Sequence, residues 1–331
     1  MLLIVAHHYV LQSGLTSETG PIYNDLTSIR SFFYLLFGAW GKIGINCFVL
    51  ITGYFMCKSQ ISIKKFVKLL AEILFYNLTI TSIFWISGYE AFNLKDLFKV
   101  IIPIRSIEQN FIGCYLIFYL FIPFLNMLIR QLSEKQHIAI LALSIFTYVF
   151  FGTFHKVSMN YVSWFVVLYF IGSYLRLYYK SWSDNTSLWG ILTLAFVLTS
   201  SASVVCCVQF GERFGIDDVY YFVADSNTVL ATLTGVCSFM FFKNLKVPQS
   251  RFVNTVAAST FGVFCIHDNS GMMRQWLFKD LLHVVDSYNT SFFEIYAACA
   301  VLGIFTICIV IDYLRIRFLE RPFLNKLFYP I

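Results

Sequence analysis

Ten runs of apolar residues dominate this chain and restrict what it can fold into. They cover 1–13, 34–57, 66–88, 111–129, 138–154, 161–179, 188–209, 226–243, 252–267 and 293–314. Most approach the roughly 20 residues a helix needs to cross the hydrocarbon of a bilayer. Inside hydrocarbon every backbone N–H and C=O must be satisfied within the protein, which leaves the helix as the conformation for segments of this length. The expected fold class is all-α: a polytopic transmembrane helical bundle of about ten spans. Charged residues make up 13% of the chain and the mean hydropathy is +0.71, against about 25% charge in soluble domains. Thr, Ser and Asn dilute the eighth and ninth runs, which are the weakest. No stretch is long and polar enough to form a separate soluble domain, so residues 1–331 read as a single membrane domain.

Charge supplies the orientation. The loops after runs 2, 4, 6, 8 and 10 hold Lys58, Lys64, Lys65 and Lys68; Arg130 and Lys135; Arg176 and Lys180; Lys243, Lys246 and Arg251; and Arg315, Arg317, Arg321 and Lys326. These are 15 of the 24 basic residues. The alternate loops are acidic on balance, with Glu212, Asp217 and Asp218 among their carboxylates. Basic residues collect on the cytoplasmic side of membrane proteins, so both termini are expected inside (N-in/C-in). The net charge of +6 then reflects orientation and implies no nucleic-acid partner. The expected partner is membrane lipid.

The nine cysteines, Cys47, Cys57, Cys114, Cys206, Cys207, Cys237, Cys265, Cys299 and Cys308, lie in or beside apolar runs and form no C-x-x-C pair. They read as small apolar residues, and no metal site is expected. The patterns G-x-S-x-G, G-x-x-x-x-G-K-[ST], H-E-x-x-H and H-x4-D are absent from the sequence, which removes the usual soluble-enzyme signatures. Met1 lacks the basic flank of a signal peptide. A helix from Met1 to Ser13 rises only about 20 Å against a hydrocarbon core of about 30 Å. The segment is short at its cytoplasmic end: either the helix is re-entrant or half-spanning, or the chain starts late, and a missing start is the expectation.

Ionisable residues inside spans are rare and mark function. His7 and His8 sit in the first run, His8 roughly 7–8 Å from its outer end. Adjacent helical residues are about 100° apart, so the two cannot face one target equally. A second polar group, His267-Asp268-Asn269-Ser270 followed by Arg274, closes the ninth run on the same expected side. By spacing alone, His267 and Asp268 make a weak pair, because neighbours on a helix point apart. The plain alternatives are a headgroup-level histidine and a polar helix end.

Several stretches together resemble the acyltransferase-3 family of integral membrane O-acyltransferases, especially its polysaccharide-modifying members. They are LLIVAHHY (Leu2–Tyr9), GINCFVLITGYFM (Gly44–Met56), YLIFYLFIPFLN (Tyr115–Asn126), WFVVLYFIGSYLRLY (Trp164–Tyr178), STFGVFCIHDN (Ser259–Asn269) and LERPFLN (Leu319–Asn325). The family's R-x10-H signature puts its histidine on His8. Its arginine would stand three or four positions ahead of Met1. A misplaced start, with that arginine encoded upstream, or a truncated inactive product are the two readings of this departure. Thr52 stands where a serine is common, and Asn110 where a tryptophan is expected.

The resemblance implies transfer of an acyl group, acetyl above all, from cytoplasmic acyl-CoA to a hydroxyl of an exported or cell-surface glycan. The setting it implies is a bacterial inner membrane. No cofactor is expected; acyl-CoA is a co-substrate. His8, with His7 beside it, is the candidate catalytic base, a role that suits a group titrating near neutral pH. His267, Asp268, Asn269 and Arg274 are candidate substrate-binding residues, Arg274 for an oxyanion or an acidic sugar. Lys64, Lys65 and Lys68 are candidates for the CoA phosphates, with orientation alone as their plain alternative. Gly38, Gly41 and Gly44 would allow close helix approach. Competing classes are a polysaccharide flippase or polymerase, which should show buried charges through many helices, and a secondary transporter, which should show internal repeats. No repeat is visible.

Overall fold

The computed structural model describes residues 1–104, 110–155 and 160–323. Leu324, Asn325 and Lys326, singled out above, lie outside them. The fold is all-helical, with no strand among the described residues. In chain order the main helices are α1 (Leu2–Leu11), α2 (Ile29–Gly38), α3 (Gly41–Met56), α4 (Ile63–Ile86), α5 (Leu94–Ile101), α6 (Phe111–Gln131), α7 (Glu134–Ser144), α8 (Tyr161–Leu177), α9 (Thr186–Phe214), α10 (Val229–Asn244), α11 (Arg251–Ala258), α12 (Thr260–His267) and α13 (Phe293–Arg315).

Among the described residues, six segments are long and apolar enough to cross a membrane: Ile29–Met56, Ile63–Ile86, Phe111–Gln131, Glu134–Phe154, Thr186–Phe214 and Phe293–Phe323. They coincide with six of the ten apolar runs. Three further runs form the shorter apolar helices α1, α8 and α10. The ninth run is divided at Ser259 into α11 and α12. The chain is an integral membrane protein.

Helix starts follow local chemistry. Ser28, Ser62, Asn93, Asn160, Asn185 and Ser250 each cap a helix through a side-chain oxygen that accepts from the first turn, which satisfies donors the helix itself cannot. Asn110 does the same for α6, accepting from Ile112 and Gly113 N–H. This gives a physical reason for an asparagine at that position. Ser133 and Gln136 form a reciprocal capping box at α7.

The chain folds into two compact units. Unit 1 comprises Met1–Asp25, Ser62–Ser106 and Pro248–Ile331; unit 2 comprises Leu26–Ile61 and Ile107–Val247.

In unit 2, α3 is the central helix and packs on α8 and α10, while α8 also packs on α6 and α7. The α3–α8 crossing is close enough that a Cβ on Gly53 would lie 3.0 Å from the Tyr169 backbone, and one on Gly172 2.8 Å from Leu50 O. Buried amides tie the helices. Asn46 donates to Ser226 O (2.7 Å) and Ala231 O (3.2 Å) and accepts from Trp164 Nε1 (2.9 Å). Asn126 donates to Met56 O (3.0 Å) and accepts from Tyr169 (2.6 Å). Thr52 Oγ1 lies 3.1 Å from the Tyr115 hydroxyl. Satisfied polar groups of this kind fix helix register where hydrophobic contact alone does not discriminate.

In unit 1, α12 lies against both α4 and α13, and α1 packs on α13. These four helices carry the polar residues of interest.

Candidate active site

His8 projects from the last turn of α1 and is only partly exposed; its side chain is 12% accessible. His267 ends α12 and is fully buried. Their rings meet, with His8 Nδ1 3.0 Å from His267 Nε2 and centroids 5.2 Å apart. Phe264, one turn earlier on α12, stands edge-on to His8.

The proton positions in this pair follow from its partners. His267 Nδ1 lies 2.6 Å from the carbonyl oxygen of Val263, one turn back on its own helix. A carbonyl oxygen can only accept, so His267 Nδ1 is the donor there. In a neutral ring the other nitrogen, Nε2, then carries the lone pair. His267 Nε2 accepts, and His8 Nδ1–H donates to it. This makes Nε2 the acceptor nitrogen of His8. The backbone of α12 thus sets the tautomer of a histidine on α1.

Asp268 Oδ1 is 3.7 Å from His8 Nδ1, the edge that an imidazolium would present as positive. The sequence spacing made His267 and Asp268 a weak pair because helical neighbours diverge. The helix stops at His267, however. Asp268 has left helical geometry (φ −115°, ψ 26°), and both side chains converge on His8. Ser270 then caps a single turn, Gly271–Arg274, which brings Arg274 Nε to 3.5 Å from Asp268 Oδ1 and 3.3 Å from Ser270 O. Asn269 turns the other way: its amide donates to Asn77 Oδ1 on α4 and to Cys265 O, both at 3.0 Å. It braces the end of α12 against α4.

Four of the candidate residues therefore assemble: His8, His267, Asp268 and Arg274. His7 sits beside His8 with its centroid 5.8 Å away and is half-buried. The lysines lie at the start of α4. Lys65 and Lys68 are exposed and Lys64 is half-buried. Lys68 is engaged, 2.8 Å from Glu320.

The sequence reading passed over a second polar group in unit 1. Glu72 and Tyr76 on α4 meet Asp312 and Arg315 on α13, and Glu320 in the π-helical turn that continues α13. The signal was present: Glu72 is the only charged residue between Lys68 and Ile86, within the apolar part of α4. No group of three or more His, Cys, Asp or Glu side chains among the described residues is arranged to hold a metal ion.

No curated protein and no solved structure matches the chain. A family model for an acyltransferase domain does match, over residues 1–313. That span takes in the helices carrying both histidines of the site, and the chain belongs to the acyltransferase-3 family.

Proposed function

We propose that the protein is a membrane O-acyltransferase that moves an acyl group, acetyl above all, from cytoplasmic acyl-CoA to a hydroxyl of an exported or cell-surface glycan. Its setting is a bacterial inner membrane, with both termini cytoplasmic. The observation that carries this reading is the His8–His267 hydrogen bond, with Asp268 beside it, in a chain of this family.

A sugar hydroxyl is a poor nucleophile near pH 7 and needs a base at its own position. His8 Nε2 takes the hydroxyl proton as the oxygen attacks the thioester carbonyl. The positive charge that forms on His8 faces Asp268 through Nδ1, and His267 holds the ring in the orientation that presents Nε2. The tetrahedral intermediate collapses by expelling the CoA sulfur. Arg274, next to Asp268, supplies a cation for an oxyanion or an acidic sugar near the base. Lys64, Lys65 and Lys68, together at the start of α4, are the lysines for the CoA phosphates.

One observation favours group transfer over the flippase reading. The buried charged side chains among the described residues, Glu72, Asp312 and Arg315, form one cluster instead of a line through many helices.

The test is transfer of labelled acetyl from acetyl-CoA to glycan in membrane vesicles. His8→Ala abolishes transfer with the protein level unchanged, and His7→Ala retains substantial activity. Full activity of His8→Ala overturns the assignment.

A further inference from the structure

The loop after α4 meets the segment that follows Arg274, and the charge alternation puts both on the outer side of the membrane. Gln275–Leu281 is a π-helix, a rare form that gathers at functional sites. Its wider turn changes which side chains are neighbours. In an α-helix, residues five apart diverge by about 140°. Here Gln275 Nε2 donates to Asp280 Oδ1 at 3.0 Å. The Tyr89 hydroxyl, from the loop after α4, donates to the other carboxylate oxygen, Asp280 Oδ2. Two half-buried rings flank this carboxylate. Trp276 and Tyr89 both rest on the buried Phe84, with centroids 6.2 Å and 5.2 Å from it.

Two contacts hold the π-helix over the outer end of α1. At its start, Arg274 Nε lies 3.5 Å from Asp268, which is itself 3.7 Å from His8. In its middle, the buried Phe278 ring stands edge-on to Tyr9, the residue after His8, with centroids 6.4 Å apart. Trp276 lies between these two points of the chain, no more than about 7 Å from Arg274 at the Cα. The aromatic and carboxylate group is therefore within reach of neighbouring units of one glycan whose hydroxyl faces His8.

The side chains suit a sugar. A pyranose offers C–H faces that stack on aromatic rings, and hydroxyls that each donate and accept. Asp280 is exposed, and its carboxylate is held in one plane with lone pairs to spare. Gln275 spends its amide N–H on Asp280 and keeps its carbonyl oxygen as an acceptor. The Trp276 indole N–H has no hydrogen-bond partner among the described residues. An aromatic belt at the headgroup level explains the rings. It gives no reason for a carboxylate fixed between an amide and a phenol beside them.

We propose that Trp276, Gln275 and Asp280, with Tyr89, form a subsite for a pyranose unit of the acceptor glycan, adjacent to the unit whose hydroxyl is acylated; this rests on the acyl-transfer reading. The indole face takes the C–H face of the ring. Asp280 and Gln275 accept from its hydroxyls, and the indole N–H donates to a hydroxyl at the edge of the same glycan. A glycan anchored there presents its next unit to His8 Nε2 past Arg274. The subsite thus selects the acceptor and leaves the chemistry of transfer to His8.

The probe is the mixture of oligosaccharides that mild acid releases from the cell-surface glycan of the native host. Isothermal titration into the full-length protein in detergent gives saturable binding. Trp276→Ala and Asp280→Ala each weaken it about tenfold or more, and Trp276→Phe, which keeps a ring face, weakens it less. In vesicles the two alanine variants raise the KM for the glycan by a similar factor, with kcat and the KM for acetyl-CoA little changed. No binding to the wild type, or wild-type affinity in both alanine variants, overturns the subsite. A lower unfolding temperature of Trp276→Ala with glycan affinity unchanged also overturns it, and returns the ring to packing at the membrane surface. Asp280 is exposed, so Asp280→Ala keeps the test open where Trp276→Ala fails to fold. His8→Ala binds the oligosaccharides as the wild type does while transferring no acetyl group. Full transfer by His8→Ala removes the acyl-transfer reading, and the titration then still decides the sugar subsite.

Discussion

The contact between Gly262 and Asp312 is the tightest test of how unit 1 is built. A methyl group on Gly262 would lie 2.3 Å from both Cγ and Oδ1 of Asp312 and 2.8 Å from its Cβ. Carbon atoms rest about 3.5–4.0 Å apart, so Gly262→Ala forces a separation of about 1 Å or more. Either α12 retreats or Asp312 does. If α12 moves, the 3.0 Å bond from His8 to His267 stretches towards 4 Å, which is no longer a hydrogen bond. If Asp312 moves, it gives up Arg315 Nε and the Tyr76 hydroxyl. Overpacking costs about 1–3 kcal/mol and a buried hydrogen bond to a charged group about 1.5–3 kcal/mol. The expected loss is about 3–5 kcal/mol of stability, read as a lower unfolding temperature of the detergent-purified protein. Acyl transfer falls with it by about tenfold or more. Gly303→Ala, on α13, is the control: its added carbon meets nothing within 4 Å, and alanine favours the helix by up to about 1 kcal/mol. An unfolding temperature equal to wild type for Gly262→Ala would refute the close contact and the coupling drawn from it.

Two further outcomes are expected. Replacing Lys64, Lys65 and Lys68 together with Gln raises the KM for acyl-CoA in vesicles while the protein still inserts; an unchanged KM leaves these lysines with orientation as their role. In unit 2, Asn46→Leu leaves the buried Trp164 N–H without its acceptor, while Ser226 O keeps the bond from Thr232 Oγ1. At about 1–3 kcal/mol for an unsatisfied buried group, the variant loses about that much stability, which thermal unfolding in detergent detects; a wild-type melting curve would contradict the bond network.

The class of fold was legible because apolar run length is nearly all that a bilayer asks of a helix. The six long spans coincide with apolar runs, and the break in the ninth run falls at Ser259, where Thr, Ser and Asn dilute it. The polar residues at the end of that run were legible as candidates, as was His8. Their convergence was not. Spacing rules assume that a helix continues, and His267 and Asp268 both reach His8 only because α12 ends between them. The ion cluster was missed for a related reason. Arg315 counted in the sequence only among the basic residues that set orientation, and Glu72 and Asp312 were passed over. Only the packing of α4 on α12 and of α12 on α13 makes them one buried group. Asn110 shows the converse: an apparent departure from the family pattern is explained by the cap it provides.

The tautomer argument makes a demand on His267 that separates orientation from simple packing. The Val263 carbonyl fixes the His267 proton on Nδ1, so what His8 needs from residue 267 is an acceptor about 3 Å from its Nδ1. Phenylalanine fills a similar volume and offers none. In His267→Phe the His8 ring loses the partner that selects its tautomer, and its Nδ1–H is left facing an apolar edge. The expected result is a kcat about 10- to 100-fold lower, a fraction of the 10²–10⁴ that a general base supplies, with the KM for acyl-CoA little changed. Glutamine carries a carbonyl oxygen that can accept from His8 in the same place, so His267→Gln recovers most of the lost rate. A role for His267 in filling space alone reverses this order, with Phe close to wild type and Gln impaired. Steady-state rates for the three proteins at equal membrane abundance decide between them, and His267→Phe at full activity would show that His8 does not depend on this partner.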